Sequence, residues 1–254
     1  MGDGRVLRYC FYGPEGGRPA VFENGSPSSR FKRPSLAEVM ERSRLRVLVY
    51  DRPGYGGSTR RPGRRVADAA EDVRALADAY GWDRFALFGG SGGGPHALAS
   101  AALLGERVTR CAVLSGIKPR ESSADEATLR ARQAAGAAEI MRSVENGGPE
   151  VPSEPDKVAR DDPAAMARVR ATFVDSMDGW VDDSLAFAKP WGFDPAGIKA
   201  PVGVWRGDAD PIVPAEEAEW MLARIPGAEE HVYEGGHLPG PDVYRDIYEW
   251  MAID

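Results

Sequence analysis

A serine between glycines is the first candidate for chemistry in this chain. Ser91 lies in Gly89-Gly90-Ser91-Gly92-Gly93, which fits the pattern G-x-S-x-G. An apolar run ends at Phe88 just before it, and a helical pattern begins within three residues after it. A strand–turn–helix of this kind holds the serine in a strained turn, which only neighbours without bulky side chains permit. The pattern therefore predicts Ser91 as a nucleophile. The alternative is a glycine-rich turn that needs only flexibility.

A serine needs a base to act as a nucleophile, and the chain has three histidines. His96 lies inside the helix that follows Ser91, so we expect a structural role there. His231 begins an apolar run, which is typical of a residue at a strand end. His237 lies in the glycine-rich stretch YEGGHLPG just after a strand, and it is our candidate base.

The imidazole in turn needs an orienting acid. The stretch VWRGDADPIVP is again a strand followed by a turn, and it offers Asp208 and Asp210. Asp210 precedes a proline deeper in the loop and is our candidate acid. Asp208 is expected to stabilise the turn by bonding to nearby backbone N–H groups. The predicted order along the chain is Ser91, Asp210, His237.

Short apolar runs separated by helical patterns must position these residues. Most runs are apolar throughout, as expected for parallel strands that are covered on both faces. The alternation predicts an α/β fold whose mostly parallel central sheet carries helices on both faces. The predicted strands cover 20–22, 47–50, 85–88, 111–114, 201–205 and 231–233, with a weaker leading antiparallel strand within 5–12, and the predicted helices cover 66–80, 95–104 and 214–223.

One segment interrupts this alternation. Residues 119–191 contain no convincing strand, many charges and several helical patterns, among them 164–177. The gap is too long for a simple crossover, so we predict an inserted helical cap on a core formed by 1–118 and 192–254. Within the cap, the stretch ENGGPEVPSEPD is rich in Gly, Pro and acidic residues and is expected to form a mobile loop.

Composition excludes several classes of function. The chain has 254 residues and a formal net charge of −7, which argues against nucleic acid or an anionic membrane as a partner. The sequence has no apolar run of membrane-spanning length, and we expect a cytoplasmic protein. Cys10 and Cys111 each lie in an apolar run and are expected to be buried free thiols. No cluster has the spacing of metal ligands, so neither a metal nor another cofactor is expected.

Four motifs, in the family's order along the chain, resemble the α/β-hydrolase fold superfamily, in particular its capped bacterial serine hydrolases. They are DRPGYGGS at residues 51–58, the turn around Ser91, GDADPIVP and GGHLP. The resemblance covers about residues 5–118 and 192–254, and it implies Asp210 as acid and His237 as base. It gives DRPGYGGS a structural role beside the site, through Asp51 and Ser58. Epoxide hydrolases and haloalkane dehalogenases resemble this fold but carry aspartate at the nucleophile position, so the serine argues against both.

Two backbone N–H groups are expected to bind the oxyanion of the tetrahedral intermediate. One belongs to Gly92, the residue after the nucleophile, and the other to Ser26 in the loop ENGSPSSR after an earlier strand. Similar proteins usually read His-Gly-x-Pro there, whereas this chain reads Asn24-Gly25-Ser26-Pro27. Asn24 either replaces the hydrogen bonds of that histidine or shapes a different site.

The substrate is expected to be a small molecule that binds under the cap. The candidate pocket residues are Asn24, Phe173, Met177, Trp180 and Trp191, with Met166 and Phe187 beside them. Alternatively, most of the aromatic ones join the cap to the core. An apolar pocket favours an ester, lactone, thioester or amide of a small to medium apolar substrate, cleaved through an acyl-enzyme. The alternatives are a biosynthetic cyclase, lyase or acyl transferase on the same fold, an aminopeptidase that uses a cap carboxylate, and a binding module without activity.

Overall fold

A central sheet of seven strands organises the chain in the computed structural model, which describes residues 1–120, 122–148, 163–174 and 176–253. The strands are β1 (Tyr9–Tyr12), β2 (Arg18–Glu23), β3 (Leu45–Tyr50), β4 (Phe85–Gly90), β5 (Val108–Leu114), β6 (Val202–Gly207) and β7 (Glu229–Tyr233). Their order across the sheet is β1-β3-β2-β4-β5-β6-β7. All neighbouring pairs are parallel except β1 and β3.

Helices cover both faces of this sheet. They are α1 (Pro34–Arg42), α2 (Ala69–Ala79), α3 (Gly94–Leu104), α7 (Ala215–Leu222) and α8 (Pro241–Met251). One apolar core contains Val73 of α2, Leu98 of α3 and Met221 of α7. The other contains Met40 of α1 and Ile247 of α8. The predicted α/β fold with a two-sided, mostly parallel sheet is therefore confirmed.

Among the described residues between β5 and β6, three further α-helices occur. They are α4 (Glu126–Glu145), α5 (Pro163–Thr172) and α6 (Asp178–Phe187), and no described residue of this interval forms a strand. The single helix predicted over 164–177 is wrong in its extent, because α5 ends at Thr172 and α6 begins at Asp178. The Oγ of Ser176 accepts a 3.0 Å hydrogen bond from the N–H of Asp178, and this bond favours a new helix start. Most of the predicted mobile loop lies outside the described residues.

Both cysteines are free thiols. Cys111 is fully buried in β5, whereas Cys10 in β1 is only partly buried and its Sγ lies 3.3 Å from the carbonyl of Arg30. Among the helices of the described ranges, none combines the length and apolar character needed to cross a membrane.

Candidate active site

Ser91 begins the tight turn that joins β4 to α3. Its φ is +51°, a left-handed conformation that is strained for a residue with a side chain. A Cβ on Gly93 would lie 2.1 Å from the carbonyl oxygen of Glu23, and one on Gly92 would lie 2.6 Å from Ser26 Oγ. Glycine at these two positions therefore lets the turn pack directly against the end of β2, and Ser91 is held at the edge of the sheet.

His237 and Asp210 meet in the loops that follow β7 and β6. His237 Nδ1 lies 2.8 Å from Asp210 Oδ2, and both side chains are at most 5% exposed. The other oxygen of Asp210, Oδ1, accepts hydrogen bonds from the backbone N–H groups of Ile212 at 2.8 Å and Val213 at 3.0 Å. Each carboxylate oxygen thus has a donor, and the pair is fixed in orientation. His237 and Ser91 line the same cavity.

The loop that carries His237 is held by hydroxyl groups from neighbouring strands. Ser115 Oγ donates to the carbonyl of His237 at 3.0 Å, and Tyr233 OH lies 3.2 Å from the same oxygen. Asp208 Oδ1 accepts a 2.9 Å bond from the N–H of Gly235. Asp208 therefore ties two loops together and does not reach His237.

The other two histidines lie elsewhere. His96 is buried in α3, where its Nδ1 lies 2.9 Å from the carbonyl of Gly92. Burial lowers the pKa of His96 to about 3, and the positive charge of Arg52 acts in the same direction. His231 lies within β7 with its ring stacked on Trp205, the centroids 4.3 Å apart. Neither histidine lines the cavity that contains Ser91.

The loop after β2 runs beside the nucleophile. A Cβ on Gly25 would lie 3.7 Å from the Cβ of Ser91. Asn24 is buried, its Nδ2 donates to the carbonyl of Tyr50 at 2.7 Å, and its Oδ1 accepts from Lys32 Nζ. The Asn24 amide therefore ties this loop to β3 and to Lys32. It is a structural contact of the loop and lies outside the lining of the cavity.

A cluster of buried charges lies behind this loop. Asp183 of α6 is fully buried, and its Oδ2 accepts from Arg52 Nη2 at 2.6 Å and from Tyr55 OH at 2.9 Å. Its Oδ1 lies 2.6 Å from Arg64 Nη1. Ser26 Oγ donates to Asp183 Oδ2 at 2.5 Å and accepts from Arg52 Nη2 at 2.8 Å. The cluster therefore connects α6 directly to Ser26.

Two guanidinium groups keep the central carboxylate charged. Burial alone would raise the pKa of Asp183, but Arg52 and Arg64 outweigh it and hold that pKa well below its usual range. A buried group of charges such as Asp183, Arg52 and Arg64 is stable only while each charge keeps its partners. The position of Ser26 thus depends on a carboxylate from the inserted helices.

For Glu23, at the end of β2, the effect of burial on the pKa outweighs the attraction of the nearby arginine. It is fully buried, its Oε1 accepts from Tyr50 OH at 2.7 Å, and its Oε2 lies 3.8 Å from Arg52 Nη1. Burial raises the pKa of Glu23 to about 7, although the attraction of Arg52 opposes the rise. The carboxyl group is therefore partly protonated near neutral pH.

A cavity of about 650 Å³ opens above Ser91. Of the predicted site residues, Ser26, Ser91, His237, Phe173 and Trp180 line it. Phe173 and Trp180 stack with ring centroids 6.0 Å apart. The apolar part of the wall also includes residues of the sheet and of α1, α4, α5 and α8: Phe22, Leu36, Phe88, Leu114, Ile140, Val169 and Tyr244.

Five predicted pocket residues lie away from this wall: Asn24, Met166, Met177, Phe187 and Trp191. Met177 precedes α6, and Met166 and Phe187 pack in buried apolar clusters. Trp191 packs in a separate apolar cluster, where its ring lies 5.6 Å from that of Trp220. Trp191 therefore packs the chain after α6 against the core. This agrees with the alternative given above, in which aromatic residues of this segment join it to the core.

Sequence reasoning missed three charged residues. Arg52 lay within a motif interpreted only as a turn, and Lys32 lay in a stretch without any pattern. Asp183 did carry a signal, because it is four residues from both Gly179 and Phe187, which are buried on the same helix. A carboxylate on an inward helical face needs a buried cation, and that requirement could have identified it. In the described part of the chain, no three His, Cys, Asp or Glu residues form a group able to hold a metal ion.

Comparisons with known proteins agree with this architecture. Residues 17–242 match the model of a family described as alpha/beta hydrolase fold. The chain is similar to a solved hydrolase from Pseudomonas aeruginosa PA01, with a TM-score of 0.72 and 23% identity over 98% of this chain and 94% of that one. It is similar to a thermophilic esterase from Thermogutta terrifontis, with a TM-score of 0.69 and 25% identity over 97% and 93%. An enol-lactonase from Burkholderia xenovorans LB400 gives a TM-score of 0.70 and 21% identity over 98% and 95%.

Proposed function

Because the chain belongs to the α/β-hydrolase fold family, we propose that it is a serine hydrolase that cleaves a carboxylic ester, lactone, thioester or amide. The observation that carries the proposal is the 2.8 Å pair of His237 and Asp210 on the cavity that also contains the strained Ser91. A nucleophile, a base and an orienting acid at neighbouring strand ends are the parts that acyl transfer requires.

The reaction proceeds in two halves. Ser91 Oγ attacks the carbonyl carbon while His237 Nε2 takes the hydroxyl proton, and Asp210 holds the ring so that Nδ1 keeps its hydrogen. The tetrahedral intermediate collapses, the bond to the leaving group breaks, and His237 returns the proton to that group. Water then attacks the acyl-enzyme with His237 again as the base, which releases the acid and restores Ser91.

The oxyanion is bound by the backbone N–H groups of Gly92 and Ser26. The assignment is supported by the close approach of the two residues, because a Cβ on Gly92 would lie 2.6 Å from Ser26 Oγ and 2.9 Å from Ser26 Cβ. Each donor contributes about 3–4 kcal/mol to the stabilisation of the transition state. Asn24 replaces the usual histidine of this loop by bonding to the carbonyl of Tyr50 and to Lys32.

The substrate has an apolar body of small to medium size. The cavity wall carries Phe22, Phe88, Phe173 and Trp180 around the nucleophile, which suits an acyl or alcohol group of that character. Helices α4–α6 form the cap of the predicted domain organisation, and Ile140, Val169 and Trp180 are their apolar contribution to the wall. No cofactor takes part in this mechanism.

A fluorophosphonate probe tests the nucleophile directly. We expect the wild type to be labelled and Ser91→Ala to remain unlabelled, because the probe reacts only with an activated serine. His237→Gln, which keeps a polar side chain of similar size, should slow labelling by at least about 100-fold. A folded wild-type protein that takes up no label would overturn the proposal.

Hydrolysis itself needs a second measurement. We expect turnover of short-chain 4-nitrophenyl esters by the wild type and none by Ser91→Ala. Labelling without turnover of any simple ester or amide would favour a cyclase, lyase or acyl transferase instead. Asn24→His further distinguishes hydrolysis from these non-hydrolytic reactions. A gain in esterase activity would mean that the native Asn24 loop disfavours hydrolysis.

A further inference from the structure

Lys32 lies on the wall of the cavity in the loop between β2 and α1. Its Nζ is 4.4 Å from the centroid of the Phe22 ring. It donates hydrogen bonds to Asn24 Oδ1 and, at 3.2 Å, to the carbonyl of Ser29. Phe22, Ser29 and Ser91 line the same cavity, so the ammonium group lies in the wall of the space next to the nucleophile.

The partners of this ammonium group do not neutralise it. Both acceptors are neutral oxygens, and within the described ranges no carboxylate lies within ion-pair distance of Lys32 Nζ. An ammonium group has three donors, and these contacts use two of them. Burial lowers the pKa of Lys32 from 10.5 to about 7, because the charged ammonium group loses water that these contacts replace only in part.

We propose that the substrate of this site carries a carboxylate or a similar single anionic group on its apolar body, and that Lys32 binds that group. The identity of the bond that is cleaved rests on the proposed function, but the binding of the anion does not. The anion accepts a charge-assisted hydrogen bond from the third N–H of Lys32 and supplies the counter-ion that the described residues do not provide. The apolar remainder of the molecule then contacts Phe22 and Phe88 and reaches Ser91.

The decisive experiment measures binding without turnover. In a Ser91→Ala background, hexanoate and hexanamide are titrated by calorimetry at about pH 6.5, where Lys32 is mostly protonated and the acid is ionised. These ligands have the same length and differ in charge. We expect hexanoate to bind at least about 10-fold more tightly than hexanamide. Equal affinity for the two ligands would overturn the proposal, whatever the behaviour of any further variant.

A second comparison assigns the effect to Lys32. Adding Lys32→Met should abolish the preference, whereas Lys32→Arg should keep most of it. Lys199→Met is the matched control, because Lys199 is an exposed lysine outside the cavity lining and its removal changes the net charge equally. A preference that survives Lys32→Met, or that is lost equally in Lys199→Met, would contradict the role of Lys32.

A third measurement separates anion binding from the contact with Asn24. With Ser91 intact, Lys32→Met is compared with wild type on 4-nitrophenyl hexanoate and on the mono-4-nitrophenyl ester of adipic acid. We expect the specificity constant to fall at least about 10-fold more for the charged ester. An equal loss on both esters would mean that Lys32 only positions Asn24. Absence of turnover on both, with an intact preference for hexanoate, would count against the proposed function alone.

Discussion

Asp183 Oδ2 accepts a 2.5 Å hydrogen bond from the Oγ of Ser26. Asp183 belongs to α6 and Ser26 to the loop after β2, so an inserted helix holds a residue that we assign to the oxyanion hole. Helix α6 therefore contributes directly to the position of the loop beside Ser91.

Asp183→Asn should destabilise the protein because it leaves Arg52 and Arg64 buried without their shared carboxylate. We expect the free energy of unfolding to fall by about 3 kcal/mol in urea titrations. Asp178→Asn on the same helix is the control, since Asp178 pairs with the more exposed Arg60 and Arg130 and should cost at most about 1 kcal/mol. Similar losses in both variants would show that the buried cluster has no special role.

Gly92→Ala should impair catalysis more than folding. Its Cβ would lie 2.6 Å from Ser26 Oγ and 3.2 Å from Phe187 Cζ, so the loop beside the nucleophile must move. We expect kcat to fall about 100-fold, as for the loss of one oxyanion donor. Gly16→Ala is the control, because nothing lies within 4 Å of its Cβ and it is exposed. Unchanged kcat in Gly92→Ala would mean that the loop does not take part.

Glu23 should make stability depend on pH. Its pKa is about 7 in the folded protein and 4.5 as the ordinary value. Between these values the folded state binds more protons than the unfolded state, so its contribution to stability falls as the pH rises through this window and levels off above it. The free energy of unfolding of wild type should decrease relative to Glu23→Gln by up to about 3 kcal/mol from pH 4.5 to pH 8. A constant difference between the two proteins would contradict this assignment.

Two tryptophans should affect different properties. Trp180→Phe enlarges the cavity next to Phe173, so we expect the preferred acyl chain of 4-nitrophenyl esters to lengthen. Trp191→Phe should leave the chain-length profile unchanged and lower the free energy of unfolding by about 1–3 kcal/mol, because Trp191 packs against Phe193 and Trp220. If Trp191→Phe also shifted the profile, the cavity wall would extend further than described.

Much of the sheet could be predicted from local pattern. Parallel strands covered on both faces are apolar throughout, and the runs that became β2–β6 carry that signal strongly. The edge strand β7 is largely exposed and carries it only weakly. Helices α1 and α8 were missed. Both have strongly one-sided patterns, but each starts with a proline, Pro34 and Pro241, that can equally end a preceding turn. The pairing of Asp210 with His237 could also be predicted from the sequence, because both residues follow strands whose carboxyl ends share one edge.

The charged contacts around the site could not be predicted in this way. Asp183 and Arg52 are 131 positions apart, and Asp183 and Ser26 are 157 apart, so no spacing rule relates them. The place of Lys32 on the cavity wall could not be predicted either, because residues distant in sequence form that cavity. The position of Asn24 could not be predicted, because the neighbouring residues in the sequence do not distinguish an amide buried in the loop from one that lines a pocket.

The separation between Ser26 and Asp183 has a consequence during synthesis. Chains grow at about 5–20 residues per second, so roughly 8 to 30 seconds pass between the two residues. Until Asp183 is made, the loop that carries Ser26 lacks its contact with α6, and Arg52 and Arg64 lack the carboxylate that they share. The contacts that fix the loop beside Ser91 therefore form late in synthesis, after α6 has been added to the chain.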